Sequence, residues 1–238
     1  MKEITQDQNY NNHRLATTFH DAGGKNIVIF CHGFRGSSIG PSRFFVQVAR
    51  KLAENGISSL RFDQYCSGNS DGDFLDSSFS DWISTTKTIA RNYLDQGYKV
   101  SLFGQSMGGS AVIAASAAIS ELTATVAWVP DPNIDMFTGG ADGFVEEGGQ
   151  LVQNSFWQEA HDAKVSDLLR TINIPMYIVQ CTADEFVDLA NRKAIQEFAQ
   201  PNHQVDIFDG FRHSQWSFEQ SEKVTDRSVD FLLNKFNE

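Results

Sequence analysis

Ser106 lies between two glycines in residues 104–108, which have the sequence Gly-Gln-Ser-Met-Gly. The apolar residues 100–103 before it predict a strand, and the alanine-rich residues 109–118 after it predict a helix. A serine at such a sharp strand-to-helix turn presents its hydroxyl at a helix N-terminus, where the helix dipole favours developing negative charge. The turn leaves room only for very small residues two positions before and after the serine. The pattern indicates a nucleophile of the kind that serine hydrolases use.

A serine nucleophile needs a base within hydrogen-bond reach. His213 is the best candidate among the histidines that follow Ser106, because it lies in a glycine-led loop directly after the last predicted strand. His203 precedes that strand and so lies at the opposite end of the sheet. His161 falls within an irregular segment. The expected chain order for this type of site, serine then acid then histidine, fits His213.

The base in turn needs a carboxylate that orients it. Asp184 follows the predicted strand at 174–180 and is the best candidate, with Glu185 and Asp188 as alternatives. Asp188 fits better as the N-cap of a helix predicted over 189–198. An ionised Asp184 would hold the tautomer of the imidazole and stabilise the imidazolium that forms during attack.

Two backbone N–H groups are expected to form an oxyanion hole. Met107, directly after the serine, supplies one of them. The other comes from the loop at 32–36, with the sequence His-Gly-Phe-Arg-Gly, and Phe34 is the natural donor because Gly33 lets the backbone turn inward. His32 is expected to hydrogen-bond this loop rather than to act as a second base.

Alternating strands and helices must position these residues. This alternation predicts an α/β fold with a mostly parallel central sheet and helices on both faces. Catalytic groups then lie at the carboxyl ends of the strands, where all the candidates fall. Residues 1–22 predict one or two edge strands, and six further strands are predicted at 26–31, 57–62, 99–103, 124–129, 174–180 and 204–208. Helices are predicted at 41–55, 79–93 with Ser80 as the cap, 109–118, 189–198 and 217–236.

Residues 131–173 interrupt the alternation and are too long for a plain connection. They predict a small cap or lid insertion within a single domain that spans 1–238, with a hairpin turn at 147–150. The aromatic residues Phe137, Phe144 and Trp157 are expected to face the substrate. Alternatively, they only pack the insertion onto the core.

With these residues in place, the chain resembles the α/β-hydrolase superfamily over nearly its whole length. The resemblance rests on five segments, at residues 32–34, 61–72, 104–109, 182–187 and 210–213. Within the superfamily the chain is most similar to small bacterial carboxylesterases of the cinnamoyl or feruloyl esterase type, which carry a similar His-Gly-Phe loop. It departs from them at 181–184, where Cys-Thr-Ala-Asp replaces the usual His-Gly-Thr-x-Asp, and at Trp216 after the histidine.

The resemblance implies that Ser106, Asp184 and His213 form a catalytic triad. It also implies that the amides of Phe34 and Met107 form the oxyanion hole. Trp216 is expected to shape the substrate pocket. The expected reaction is hydrolysis of a small-molecule ester through an acyl-enzyme on Ser106, without a cofactor or a metal. A thioesterase, amidase or peptidase would use the same residues, and a ligand-binding protein without activity is the alternative from another class.

The composition limits the partners. The 238 residues carry a formal net charge of −11, which disfavours binding to nucleic acid and to anionic membrane surfaces. No signal peptide or spanning segment is visible, and the three cysteines have irregular spacing. A cytoplasmic protein without disulfides is therefore expected, and a homodimer is left open. A nucleotide-binding domain is excluded because no Gly-x-Gly-x-x-Gly follows the first buried strand.

Overall fold

The computed structural model describes residues 2–134 and 143–238. Its strands, in chain order, are β1 (Lys2–Tyr10), β2 (His13–Asp21), β3 (Asn26–Cys31), β4 (Ser58–Phe62), β5 (Lys99–Gln105), β6 (Ala124–Trp128), β7 (Phe144–Glu147), β8 (Gln150–Gln153), β9 (Met176–Cys181) and β10 (His203–Phe208). Its helices are α1 (Phe44–Glu54), α2 (Phe79–Asp95), α3 (Met107–Ala117), α4 (Asn154–Asp162), α5 (Val165–Leu169), α6 (Leu189–Phe198) and α7 (Phe218–Asn237). Within the described ranges, no helix combines the length and the apolar character needed to cross a membrane.

Eight of the strands form one central sheet in the order β1-β2-β4-β3-β5-β6-β9-β10. The strands from β4 to β10 in this order run parallel to their neighbours. The two N-terminal strands pair antiparallel at one edge, β1 with β2 and β2 with β4. The predicted mostly parallel sheet is therefore confirmed. Its parallel geometry brings the carboxyl ends of β3, β5, β9 and β10 to one edge.

Helices cover both faces of this sheet, which explains why the central strands are continuously apolar. Successive strand residues point to opposite faces. In β3, Ile27 and Ile29 belong to one core and Val28 and Phe30 to the other, and all four are fully buried. Helices α2, α3 and α6 pack into the first core, and α1 and α7 into the second.

Two helix N-termini differ from those predicted. The cap of α2 is Ser78, whose hydroxyl accepts a hydrogen bond from the Asp81 amide, and not Ser80, which lies inside the first turn. Helix α1 begins at Phe44 rather than at Pro41, because Ser42 and Arg43 have left-handed backbones with φ of 49° and 64°. A short 3₁₀ turn replaces the first predicted turn of that helix.

The segment between β6 and β9 holds the β7–β8 hairpin and helices α4 and α5. The hairpin pairs Glu147 with Gln150 around Gly148 and Gly149, as the sequence predicts. Both glycines have positive φ, 56° and 78°, which is the backbone of a type I′ turn. Val152 is fully buried against the first core and anchors the hairpin beside the carboxyl edge of the sheet.

Candidate active site

Ser106 occupies the tight turn between β5 and α3. Its backbone has φ 56° and ψ −125°, a conformation that L-residues rarely adopt. A Cβ atom on Gly104 would overlap the Gly108 carbonyl oxygen, and one on Gly108 would overlap the carbonyl oxygens of Cys31 and His32. The two glycines are therefore required by close backbone approach, which explains the Gly-x-Ser-x-Gly spacing.

A continuous hydrogen-bonded relay joins the three residues that the sequence predicted as a triad. His213 Nε2 lies 2.8 Å from Ser106 Oγ, and His213 Nδ1 lies 2.8 Å from Asp184 Oδ2. The carboxylate can only accept, so the network assigns the proton to Nδ1 and leaves the Nε2 lone pair for the serine hydroxyl. The relay thus places His213 Nε2 where it can take the proton of Ser106.

Asp184 is held ionised although its side chain is only 1% exposed. Burial raises the pKa of this carboxyl, but the hydrogen bond and charge of His213 and the amides of Val187 and Phe186 outweigh burial, so that the pKa lies below its ordinary value. Both amides donate to Oδ1 at 2.9 Å. The second oxygen is thereby left to His213.

The two alternative acids have other positions. Asp188 caps helix α6 by accepting a hydrogen bond from the Asn191 amide at 2.7 Å. Glu185 accepts from the backbone amide of His213 at 3.1 Å and pairs with Arg212 at 2.9 Å. Glu185 therefore supports the backbone of the base rather than its ring, a contact that the sequence alone did not reveal.

The loop after β3 packs against the serine turn, since a Cβ atom on Gly33 would lie 3.3 Å from Ser106 Cβ. The Phe34 and Met107 amides both belong to residues that line the cavity above Ser106. Neither amide donates a hydrogen bond to any residue within 2–134 or 143–238. Two unused N–H groups beside a nucleophile are what an oxyanion hole requires.

His32 fixes the shape of this loop, as the sequence predicted. Its Nδ1 hydrogen-bonds the Gly33 carbonyl oxygen at 2.8 Å, and its Nε2 accepts from the Gln64 amide at 3.0 Å. Burial lowers the pKa of the His32 imidazole, which keeps the ring neutral. Both nitrogens are engaged, so His32 has no lone pair left to act as a base toward substrate.

A cavity of about 670 Å³ opens onto Ser106 and His213. Its apolar lining includes Phe34, Met107, Ile134, Trp157 and Val187, and its charged lining consists of Arg35, Asp131 and Glu147. The sequence had not singled out these three charged residues, although Arg35 directly follows Phe34 and Glu147 opens the predicted hairpin turn. Within the described part of the chain, no three His, Cys, Asp or Glu side chains gather where they could hold a metal ion.

Of the four residues predicted to face the substrate, the structure places one in the cavity. Trp157 lines it, with its ring centroid 4.8 Å from that of Phe34. The expectation is not met for Phe144, which lies on the exposed face of the hairpin. Strand alternation places Glu147 on the other face of the same strand. It is also not met for Trp216, which stacks on Phe44 at 5.2 Å. Phe137 lies outside the described residues.

Trp216 lies outside the cavity because the chain turns away from it after His213. Its indole N–H donates to the Arg212 carbonyl oxygen at 2.7 Å, and its ring packs against the second core beside Trp128. The short loop before α7 therefore directs this ring onto the second core and away from the cavity.

Known structures share this architecture over their whole length. The chain matches the alpha/beta hydrolase GrgF from Penicillium sp. sh18 with a TM-score of 0.84 and 15% identity, covering 100% of both chains. The protein has the α/β-hydrolase fold. Est1E from Butyrivibrio proteoclasticus, solved with bound ferulic acid, has the same fold with a TM-score of 0.84 and 22% identity, over 98% of this chain and 100% of that one. A monoacylglycerol lipase from Paleococcus ferrophilus matches with a TM-score of 0.80 and 17% identity, over 93% and 99%.

Sequence comparison adds one family. Residues 23–135 match the model of the family described as serine aminopeptidase, S33. This match contains the Phe34 loop and Ser106 of the α/β-hydrolase fold, and it ends before Asp184 and His213. No curated protein sequence matches the chain.

Proposed function

We propose that this protein is a serine hydrolase that cleaves carboxylic esters through an acyl-enzyme on Ser106. One observation carries the proposal, namely the Ser106–His213–Asp184 relay with 2.8 Å at both links. The relay ends at a cavity of about 670 Å³, which is ample for a small ester. The Phe34 and Met107 amides beside it are suited to an oxyanion.

In the first half-reaction the Ser106 oxygen attacks the ester carbonyl carbon while His213 Nε2 takes the hydroxyl proton. Asp184 stabilises the imidazolium through Nδ1–H. The carbonyl oxygen becomes an oxyanion that accepts from the two amides. When the intermediate collapses, the C–O bond to the leaving group breaks and His213 gives its proton to the departing alkoxide, leaving the acyl group on Ser106.

In the second half-reaction a water molecule replaces the alcohol. His213 Nε2 takes one proton of the water as its oxygen attacks the acyl carbon, and the oxyanion forms at the same two amides. Collapse breaks the bond to Ser106 Oγ, which regains its proton from His213. The carboxylic acid leaves and the starting state of the relay is restored.

The lining of the cavity favours an apolar acyl group. Phe34, Trp157 and Phe186 present three aromatic rings in the lining, and Met107, Ile134 and Val187 add to the apolar surface. A short acyl chain or an aromatic acid fits such a lining. The ferulic acid bound to Est1E, which shares the fold, supports an aromatic acyl group.

Amide or peptide hydrolysis is the second candidate. It is favoured by the family match at 23–135, described as serine aminopeptidase. The match covers the nucleophile and one loop of the proposed oxyanion hole. Ester, thioester and amide hydrolysis share these elements, so the match does not distinguish between the three leaving groups. The substrate panel below therefore includes an amide and a thioester.

The test is a hydrolysis panel on the wild type and on Ser106→Ala. The substrates are p-nitrophenyl esters of rising chain length, methyl ferulate, an acyl-CoA and an aminoacyl anilide. We expect Ser106-dependent turnover that is highest for the esters, together with covalent labelling by a fluorophosphonate. Labelling should persist in Ser214→Ala, which removes another serine that lines the cavity.

Three other results would contradict the proposal. Turnover that survives in Ser106→Ala would place the chemistry on another residue. A Ser106-dependent preference for the anilide or the thioester would move the protein to the second candidate or to the thioesterases. No turnover and no labelling would favour a ligand-binding protein that uses the hydrolase fold.

A further inference from the structure

Arg35, an exposed residue, adds a positive charge to the lining of the candidate active-site cavity. It directly follows Phe34, whose amide we assign to the oxyanion hole, and it is the only lysine or arginine among the described residues that line the cavity. The chain carries 30 acidic but only 19 basic residues, so the charge of Arg35 is opposite in sign to the net charge of the protein. Its backbone is left-handed, with φ 54°, which fixes an unusual direction for the side chain.

The β7–β8 hairpin holds this side chain in place. A Cβ atom on Gly148 would overlap Arg35 Nη1 and would lie 2.7 Å from Arg35 Cζ. The guanidinium therefore rests directly on the backbone of the hairpin turn, at a position that is free only because residue 148 is glycine. On its other side the guanidinium carbon lies 5.8 Å from the centroid of the Phe34 ring.

The guanidinium has unused donors. It takes part in no ion pair or hydrogen bond with a residue of the described ranges, although Asp131 and Glu147 line the same cavity. Oδ1 of Asp131 is engaged by the Asn133 amide at 3.1 Å and by Asn191 Nδ2 at 3.0 Å. Glu147 adjoins Gly148 in the chain but does not pair with Arg35. Five N–H donors in a planar fork thus remain for a ligand.

We propose that Arg35, seated on Gly148, binds a carboxylate of the substrate and so selects esters that carry a free carboxylate. This inference rests on the ester hydrolysis proposed above. A planar, singly charged carboxylate matches the guanidinium fork with two parallel hydrogen bonds. A dianionic phosphate suits the cavity less well, because Asp131 and Glu147 would repel it more strongly. The carboxylate belongs to either the acyl or the alcohol part of the ester.

Two sets of matched esters distinguish these parts. On the acyl side we would compare monomethyl adipate with methyl heptanoate and methyl 6-aminohexanoate. On the alcohol side we would compare 6-acetoxyhexanoate with hexyl acetate and 6-aminohexyl acetate. We expect kcat/KM to be higher for the carboxylate than for the neutral ester in one set, mainly through KM, and the preference to weaken as salt rises.

Arg35→Met should lower the ratio of carboxylate to neutral kcat/KM by about tenfold, the effect of losing one charge-assisted contact at a partly exposed site. Arg35→Lys should restore part of the ratio. Arg43→Met is the matched control, because Arg43 is an exposed arginine with φ 64° that does not line the cavity. The ratio should not change in Arg43→Met. A ratio that is equal in the wild type and Arg35→Met, or a preference for the amines, would overturn the proposal.

Binding to an inactive protein separates this inference from the proposed reaction. In the Ser106→Ala background, calorimetry with monomethyl adipate, 6-acetoxyhexanoate and methyl 6-aminohexanoate needs no turnover. We expect Arg35→Met to weaken binding of at least one of the two carboxylate esters by about tenfold. Equal affinity for both carboxylate esters with and without Arg35 would refute the carboxylate site even if the wild type hydrolyses esters. Retained Arg35-dependent binding would support it even if ester hydrolysis failed.

The two glycines of the hairpin turn test the seat of Arg35. Gly148→Ala and Gly149→Ala both place an alanine at positive φ, but a Cβ atom at residue 149 meets no atom of the described residues within 4 Å. Only the change at Gly148 displaces the guanidinium. We expect Gly148→Ala to lower the carboxylate-to-neutral ratio severalfold and Gly149→Ala to preserve it. Equal ratios in the two variants would contradict the seat.

Discussion

At the scale of single residues, His213 is held from three directions. Asp184 binds Nδ1, Ser106 binds Nε2, and Glu185 accepts from the backbone amide. The contacts to the ring decide which nitrogen carries the proton, whereas the contact to the backbone decides only where the ring stands. Removing either carboxylate should therefore have very different consequences.

Asp184→Asn should lower kcat about 10⁴-fold with little change in KM. The amide group would donate to Nδ1, which moves the imidazole proton to Nε2 and leaves no lone pair for Ser106. Steady-state kinetics on the best ester of the panel would measure this loss. Glu185→Gln is the control, since it keeps an acceptor for the His213 amide, and kcat should fall by less than about tenfold. A larger loss in Glu185→Gln than in Asp184→Asn would move the acid to Glu185.

The residues that come together at the site were predictable to different degrees. Ser106, Asp184 and His213 each follow a strand, and parallel strands bring such positions to one edge of a sheet, so that their meeting could be foreseen. Trp216 and Phe144 were misplaced because the direction of a ring depends on a loop turn or on strand alternation in a small hairpin. Arg35 was missed because its contact with Gly148 joins distant parts of the chain.

At the scale of elements, the turn between β5 and α3 is pressed against the end of β3. Gly108 packs on the carbonyl oxygens of Cys31 and His32, which belong to backbone and cannot move aside cheaply. A Cβ atom on its neighbour Gly109 would lie 3.2 Å from Pro130 Cβ and from the Trp128 carbonyl oxygen, so a methyl group there needs only a small adjustment. The turn thus depends on one glycine far more than on the next.

Gly108→Ala should destabilise the protein by roughly 3 kcal/mol or more and abolish activity, because the overlap pushes α3 away from β3. Gly109→Ala should cost about 1 kcal/mol or less. Denaturant unfolding at neutral pH would measure both variants. Similar free energies of unfolding for the two variants would mean that the turn can accommodate a Cβ atom at residue 108, contrary to the backbone contacts described above.

The N-terminus of α2 offers a second comparison of neighbours. Ser78→Ala should cost about 1 kcal/mol, because its hydroxyl satisfies the Asp81 amide and also donates to Glu159 at 2.7 Å. Ser80→Ala should change stability by less than about 0.5 kcal/mol, since among the described residues only its backbone amide is engaged, by the same glutamate. Urea denaturation of the two variants would measure the difference. A greater loss for Ser80→Ala would restore Ser80 as the cap.

At the scale of the whole molecule, the elements could be predicted but their arrangement across the sheet could not. Hydrophobic periodicity marked nearly every strand and helix. The order β1-β2-β4-β3 depends on pairings between distant strands, such as Ile27 with Ser58, which no local pattern encodes. The predicted cap of α2, Ser80, lies two residues after the observed cap, Ser78, because both are serines that can cap a helix. These differences arise because tertiary contacts choose among local alternatives.

Three buried histidines give the folded protein a dependence on pH. Burial lowers the pKa of His20, with help from Arg61, from its ordinary value of 6.5 to about 4, and burial also lowers the pKa of His32 and His203. As the pH falls below 6.5 the unfolded chain binds protons that the folded chain does not. His20 then removes about 1 kcal/mol of stability per pH unit, and His32 and His203 lower the stability further.

Stability should therefore fall between pH 6.5 and 4.5, above the range in which the carboxylates with lowered pKa, such as Asp184, begin to lose their contribution. Free energies of unfolding in urea at intervals of half a pH unit would measure the slope. His20→Gln should reduce it by about 1 kcal/mol per pH unit. A stability that is flat over this range would contradict the account.

The backbone of Ser106, with φ 56° and ψ −125°, sets activity against stability at one position. Every residue except glycine is strained there, by roughly 1–3 kcal/mol. Ser106→Gly and Ser106→Ala should both be inactive. The free energy of unfolding of the glycine variant should be about 1 kcal/mol higher than that of the alanine variant. A serine at this position therefore lowers the stability of the fold, and the proposed role of Ser106 as nucleophile accounts for that sacrifice.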